Sequence, residues 1–178
     1  MNKTAAWLLL FLLYFHCLPA PGVAREAKSR YTTLHYANRQ LLNDFNDQIR
    51  LTRKLNYIVR KKNIVTVEDE VLAKLDTLIE KAEVVLDMFP NNMHIHVVLL
   101  KDSDDVSAVY KQKYHKKVNH IAYYSLSEDT IFISVDDAGL RVLAHELGHA
   151  IVDHYFKIRP PYNIHELMAQ FTEKHITD

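Results

Sequence analysis

The 178-residue chain holds a single cysteine, Cys17, and that one lies in an apolar N-terminal stretch. If that stretch is removed, neither a disulfide nor thiol chemistry is open to the remainder. Charge of one sign is lacking too, since 22 Lys and Arg balance 22 Asp and Glu. Basic residues are not interleaved with aromatics, so nucleic acid is not an expected partner. The longest apolar run, Ala5 to Cys17, is too short to span a bilayer comfortably. Internal repeats and low-complexity tracts are absent from the sequence.

Residues 1–24 read as a signal peptide, with Lys3 as a basic start, the apolar run, and Gly22-Val23-Ala24 as a small-residue cleavage site. Cys17 does not follow the small residues of a lipoprotein site and is expected to leave with the signal. Residues 25–178 are then one exported, cysteine-free domain with no stable membrane span. A bacterial periplasm or exterior suits that composition.

The zero net charge hides an asymmetry. Residues 25–63 carry 10 Lys and Arg against 3 Asp and Glu, while residues 64–178 carry 11 against 19. A basic helix packed on an acidic body accounts for this. So does a terminal segment lying across an acidic cleft as an inhibitor, or an anionic partner.

Tyr31 to Lys62 reads as one long helix or two, with Leu34, Leu41, Phe45, Ile49 and Ile58 on an apolar stripe and Asn63 as the break. A second helix runs from Val67 to Phe89, with Thr66 and Asp69 as a capping box. Its stripe is Val71, Leu75, Leu78, Ala82, Val85 and Phe89. Together these make an N-terminal helical segment over about 30–89. Met93 to Leu100 is a strand with His94 and His96 on one face. With no third ligand in view, those two read as strand-face polar residues. Val106 to Tyr114 forms a short helix, and His120–Leu126 and Thr130–Val135 form a hairpin. The expected class is therefore α+β, with a small mixed sheet of about three strands.

The chemistry concentrates in His145-Glu146-Leu147-Gly148-His149. On a helix, residues four apart lie one above the other, so His145 and His149 present two imidazoles on one face. That spacing suits two ligands of a tetrahedral zinc. Glu146 lies about 100° round the helix, placed to reach a water at the metal and not the metal itself. Chance would produce this pattern roughly 0.03 times in a chain of this composition. The local context is helical, with Asp136 and Asp137 as caps and Arg159-Pro160-Pro161 as the stop. Leu140, Leu143, Ala144, Leu147 and Ile151 form the buried stripe. Gly148 implies a close approach by a strand or substrate beside the second histidine.

Beyond the Pro-Pro break, Asn163 to Phe171 reads as a second helix with Glu166 in its first turn. With these residues the chain resembles the gluzincins, the thermolysin-like metallopeptidases, and especially small single-domain members. The resemblance covers about residues 120–175. It implies a zincin-like upper domain in which the HExxH helix and a C-terminal glutamate helix hold one Zn2+. His145, His149, Glu166 and Ala169 match the family positions, and Asp153 matches an acid often found there. Gln170 stands where thermolysin-like members carry an aspartate, and His165 where they carry an asparagine. A metzincin reading fails, because Val152 and Tyr155 occupy its glycine and histidine positions.

Alternatives stay open at several positions. Asn163 and Glu166 could form a capping box, and His165 is the substitute third ligand. Asp153 lies over His149 either as an orienting carboxylate or as an exposed acid. His154 points away from His149. Tyr155, Tyr162, Tyr124, His154 and His165 are candidates for stabilising an oxyanion. The resemblance also makes His120–Ser125 an edge strand that holds a peptide substrate by strand addition. The expected activity is zinc-dependent peptide hydrolysis with Glu146 as general base. The rival reading is a zinc-stabilised binding module, or a latent zymogen, that does not turn over peptides.

Overall fold

The computed structural model describes residues 25–178, and the expected signal peptide, 1–24, lies outside the described residues. The described chain is α+β, with six helices and a five-stranded mixed sheet. The strands are β1 (Arg25–Lys28), β2 (Thr32–Tyr36), β3 (Ile95–Leu100), β4 (Ala122–Ser125) and β5 (Thr130–Ser134). The helices are α1 (Arg39–Gln48), α2 (Arg53–Val59), α3 (Val67–Leu86), α4 (Ser103–Tyr114), α5 (Leu140–Tyr155) and α6 (Tyr162–His175). Sheet order is β1-β2-β3-β5-β4. The two central pairings, β2 with β3 and β3 with β5, are parallel, and the two outer ones are antiparallel.

The sheet has five strands where the sequence leads one to expect three, because the chain before Ala37 is a hairpin and not the start of a helix. Tyr31 to Tyr36 is aromatic and β-branched, which favours a pleated, half-buried surface. Thr32, Leu34 and Tyr36 alternate into the core at 0%, 0% and 4% exposure. Leu34 fits both periods, and its spacing from Leu41 mimics a helical stripe. Two caps then start two separate helices where one or two were expected. The Asn38 side chain accepts from Leu41 N–H at the start of α1, and Thr52 accepts from Leu55 N–H at the start of α2. The expected stripe fails at Ile58, which is exposed.

The α3 helix follows its pattern closely. Thr66 and Asp69 form the reciprocal capping box, and Val71, Leu75, Leu78 and Ala82 are buried. It ends at Leu86, where Asp87 turns left-handed at φ 53°, so Phe89 falls outside the stripe and is exposed.

Ile95, Val97, Leu99, Ile131 and Ile133 point to one face of the sheet, against α3 and α5. Leu78, Ile79, Leu143 and Leu147 fill that layer with full burial, each contributing about 1.5–3 kcal/mol. The other face is covered over β4 and β5 by α4, whose Tyr110 ring packs edge-on against Tyr123 at 5.0 Å. Among the described residues, no helix covers that face over β1 and β2, and α4 reaches only part of β3. Among the described residues, no helix is long and apolar enough to cross a membrane.

Candidate metal centre

The α5 helix begins without the expected acidic cap. Its N-cap is Gly139, with no side-chain capping bond, while Asp137 accepts instead from Ser134 Oγ at 2.6 Å. The stripe nevertheless holds: Leu143, Ala144, Leu147 and Ile151 are all fully buried. That seats α5 on the sheet and turns His145 and His149 toward α6.

Gly148 shows why the two helices can meet. A Cβ there would lie 2.8 Å from Thr172 Oγ1 and 2.9 Å from Ala169 Cα. The close approach is thus made by α6, and not by a strand or substrate. It brings Glu166, one turn before Ala169, over the two imidazoles.

His145 Nε2 and His149 Nε2 lie 3.1 Å apart. Glu166 places Oε1 3.4 Å from the first and Oε2 3.5 Å from the second. A tetrahedral zinc with bonds of about 2.0–2.2 Å sets its ligands about 3.3–3.6 Å apart. These three residues are the group of potential metal ligands among the described residues, and their donor atoms fit one divalent cation. The donor set is not specific to zinc. Glu166 is not a cap: α6 starts at Tyr162 after Pro161, which offers no side-chain bond. Apart from its contacts with the two histidines, Glu166 accepts a hydrogen bond from Gln170 Nε2, at 3.1 Å.

Each imidazole is held from behind. His145 Nδ1 lies 3.2 Å from Glu173 Oε2. His149 Nδ1 lies 2.8 Å from His165 Nδ1, and His165 Nε2 lies 3.1 Å from Asp153 Oδ1. Arg159 Nε fixes that same oxygen at 3.2 Å. The network assigns the tautomers. His165 Nε2–H donates to Asp153, His149 Nδ1–H donates to His165 Nδ1, and His145 Nδ1–H donates to Glu173. Both Nε2 lone pairs are left facing the Glu166 carboxylate. Burial, then the neighbouring His145 and His165, pushes His149 down to about 4 and keeps it neutral.

Asp153 therefore reaches His149 through His165 and not directly. His165 is 1% exposed and sits behind His149, away from the ligand point. Glu173 was not singled out in the sequence, although it lies seven residues after Glu166, two turns along the same face.

Glu146 is buried, and the backbone N–H of Tyr124 donates to its carboxylate. Burial outweighs that bond and, with Glu166 nearby, pushes its pKa up to about 8. A cleft of about 800 Å³ opens in front of it, between edge strand β4 and helices α4, α5 and α6. Tyr162 lines it, as does His120 at the start of the expected edge strand, together with Tyr110, Tyr114 and Arg159, for which no site role was expected from sequence. Of the other oxyanion candidates, His154 and the Tyr124 hydroxyl are both committed to Asp129 Oδ1 at 2.8 Å. Tyr155 packs against Phe156. Among the described residues, none of 25–63 lines the cleft.

Compared with protein-family models, with curated proteins and with solved structures, the chain finds no match.

Proposed function

We propose that the chain is an exported zinc metallopeptidase of the gluzincin type, with the zincin-like upper-domain arrangement and with Glu146 as general base. The observation that carries this reading is the trio of donor atoms on His145, His149 and Glu166, 3.1–3.5 Å apart, with Glu146 adjoining them at the floor of an open cleft. When bound, zinc would supply Lewis acidity, lowering the pKa of water toward 7 and polarising the scissile carbonyl.

The chain's own residues do the rest. Glu173 and His165 hold the two imidazoles with Nε2 lone pairs forward. The Glu146 carboxylate takes a proton from the attacking water and delivers it to the amide nitrogen as the C–N bond breaks. A divalent cation nearby would pull its pKa below the value burial alone sets, keeping it ionised for the first transfer. Among the described residues β4 has a neighbour on one side only, β5, so its other edge, apart from the Tyr124 N–H taken by Glu146, can pair with an extended peptide. Arg159, Tyr162 and His120 stand around that edge as donors for the developing oxyanion.

The test compares wild type with Glu146→Gln on a quenched peptide library, with zinc counted in both. One zinc in each and hydrolysis by the wild type alone is the expected result. Hydrolysis retained by the variant overturns the mechanism. One zinc in each with no hydrolysis by either replaces it with a zinc-stabilised binding module or a latent form.

A further inference from the structure

The sheet face left uncovered over β2 and β3 carries a second set of imidazoles, separated by strand β5 from the cleft at β4. Parallel pairing sets Thr33 opposite His96 and His35 opposite Val98, so His35 and His96 are diagonal neighbours. His35 Nε2 and His96 Nδ1 meet at 2.9 Å, with the ring planes only 24° apart. Glu26, opposite His35 on β1, places Oε1 3.5 Å from the other ring nitrogen, Nδ1. Burial, with help from His96, outweighs Glu26 and holds His35 below its ordinary pKa, so the ring is neutral. The pair opens into a shallow groove of about 480 Å³ that also includes Glu128 and Phe132.

We propose that His35 and His96 form a second metal site, for a divalent transition cation such as Ni2+, Cu2+ or Zn2+. The Glu26 carboxylate, 3.5 Å from His35 Nδ1, favours the ring proton on that nitrogen and so leaves the His35 Nε2 lone pair facing His96. One proton lies between the two nitrogens. The cation takes its place, and His96 carries that proton on Nε2 instead, so no net proton is lost. Two bonds of about 2.0–2.1 Å at 90° put their nitrogens about 2.9 Å apart, whereas a tetrahedral angle needs about 3.3 Å. The observed separation matches that of two cis ligands on square-planar or octahedral Ni2+ and Cu2+, with a turn of the rings to aim both lone pairs at the cation, and Zn2+ needs a small opening as well. His94 does not take part: its Nε2 is on Thr33 Oγ1 at 2.9 Å and its Nδ1 on the Arg30 carbonyl at 3.1 Å.

The experiment titrates Ni2+ into full-length protein carrying His145→Ala and His149→Ala, which removes two cleft ligands and makes the answer independent of the peptidase reading. Calorimetry gives the stoichiometry, and paramagnetic broadening of histidine ring resonances gives the location. One Ni2+ per chain, broadening His35 and His96, is expected. Adding His96→Gln or, separately, His35→Gln should weaken binding at least about tenfold. Glu26→Gln should weaken it about 10–100-fold, and His94→Gln should leave it unchanged. No uptake by the starting protein overturns the proposal, as does an affinity indifferent to both His35→Gln and His96→Gln in variants that melt like their parent. A loss on His94→Gln as large as that on His96→Gln overturns it as well.

Discussion

Replacing Gly148 with alanine sets a helix-packing contact against the proposed metal centre. The new Cβ would lie 2.9 Å from Ala169 Cα, a backbone atom, and 2.8 Å from Thr172 Oγ1. Thr172 has no room to swing clear, since it is fully buried and its hydroxyl donates to the Met168 carbonyl at 2.9 Å. Restoring an ordinary separation of about 3.5 Å requires α6 to retreat by about 0.6 Å. Alanine gains about 1 kcal/mol of helix propensity over glycine, and overpacking costs about 1–3 kcal/mol. The two partly offset, leaving a net loss of about 0–2 kcal/mol and a melting temperature lower by up to about 8 °C.

The metal should suffer more than the fold. Ala169 is one turn from Glu166, so the retreat carries the third ligand away from imidazoles it now faces at 3.4 and 3.5 Å. Zinc–oxygen bonds of about 2.0–2.2 Å tolerate little of that. Zinc affinity, read by competition with a chromophoric chelator, should fall about 10–100-fold while circular dichroism reports a folded protein. Gly139→Ala is the control, because nothing lies within 4 Å of a Cβ at that position. Unchanged zinc affinity with a raised melting temperature in Gly148→Ala would refute the reasoning: α6 would then not be held at this distance by the glycine.

Three further outcomes follow from the same structure. Glu173→Gln keeps the side chain's shape but removes the charge behind His145, and it should weaken zinc about 10–100-fold with little change in melting temperature; equal affinities would show that Glu173 does not orient the ring. Gly139→Ser supplies the missing hydroxyl at the N-cap of α5 and should stabilise the protein by about 0.5–1 kcal/mol, read by urea denaturation. The third concerns His154 and Asp129. The hydrogen bond to Asp129 outweighs burial and raises the His154 pKa, so its stabilising effect is complete below about 6.5 and lost as pH rises through the raised value. Burial alone would raise Asp129, but the bonds from His154 and Tyr124 together leave it lowered, so its effect is lost only as pH falls through that lowered value. His154→Gln should therefore cost more stability at pH 5.5 than at pH 8.5. The difference should stay below about 1 kcal/mol, because the Asp129 side chain is 36% exposed. Equal losses at both pH values would remove the ion pair from the account.

What the sequence made legible was local. The α3 helix and the buried stripe of α5 come from apolar spacing within one element, and the pairing of His145 with His149 needs only a helical turn. The hairpin at 25–36 was not legible, because Leu34 satisfied two periods and the partner that decides between them, Ile95 to Val98, lies some sixty residues away. The same distance hid His35 behind His96: the sequence pairs His96 with His94, two residues off, and only the parallel register brings His35 in. In the cleft, Arg159 and His120 reach Glu146's surroundings through the crossing of α5 and α6 and the placing of β4.

The support behind the two imidazoles sits between these cases, and it gives a physical reading of the two positions that depart from the thermolysin-like pattern. His165, in place of asparagine, still offers a polar atom to His149, and Asp153 and Arg159 fix which nitrogen that is. Gln170 is neutral and turns its amide N–H to Glu166, and no bond joins it to His145. The acceptor behind His145 is Glu173, one turn further along α6. A neutral imidazole needs an acceptor at its far nitrogen to hold its lone pair on the metal side, and the helix face offers that acceptor at either turn. The two departures therefore move the acceptors without removing them, so Glu173→Gln and Asp153→Asn should each weaken metal binding, whereas Gln170→Ala should not.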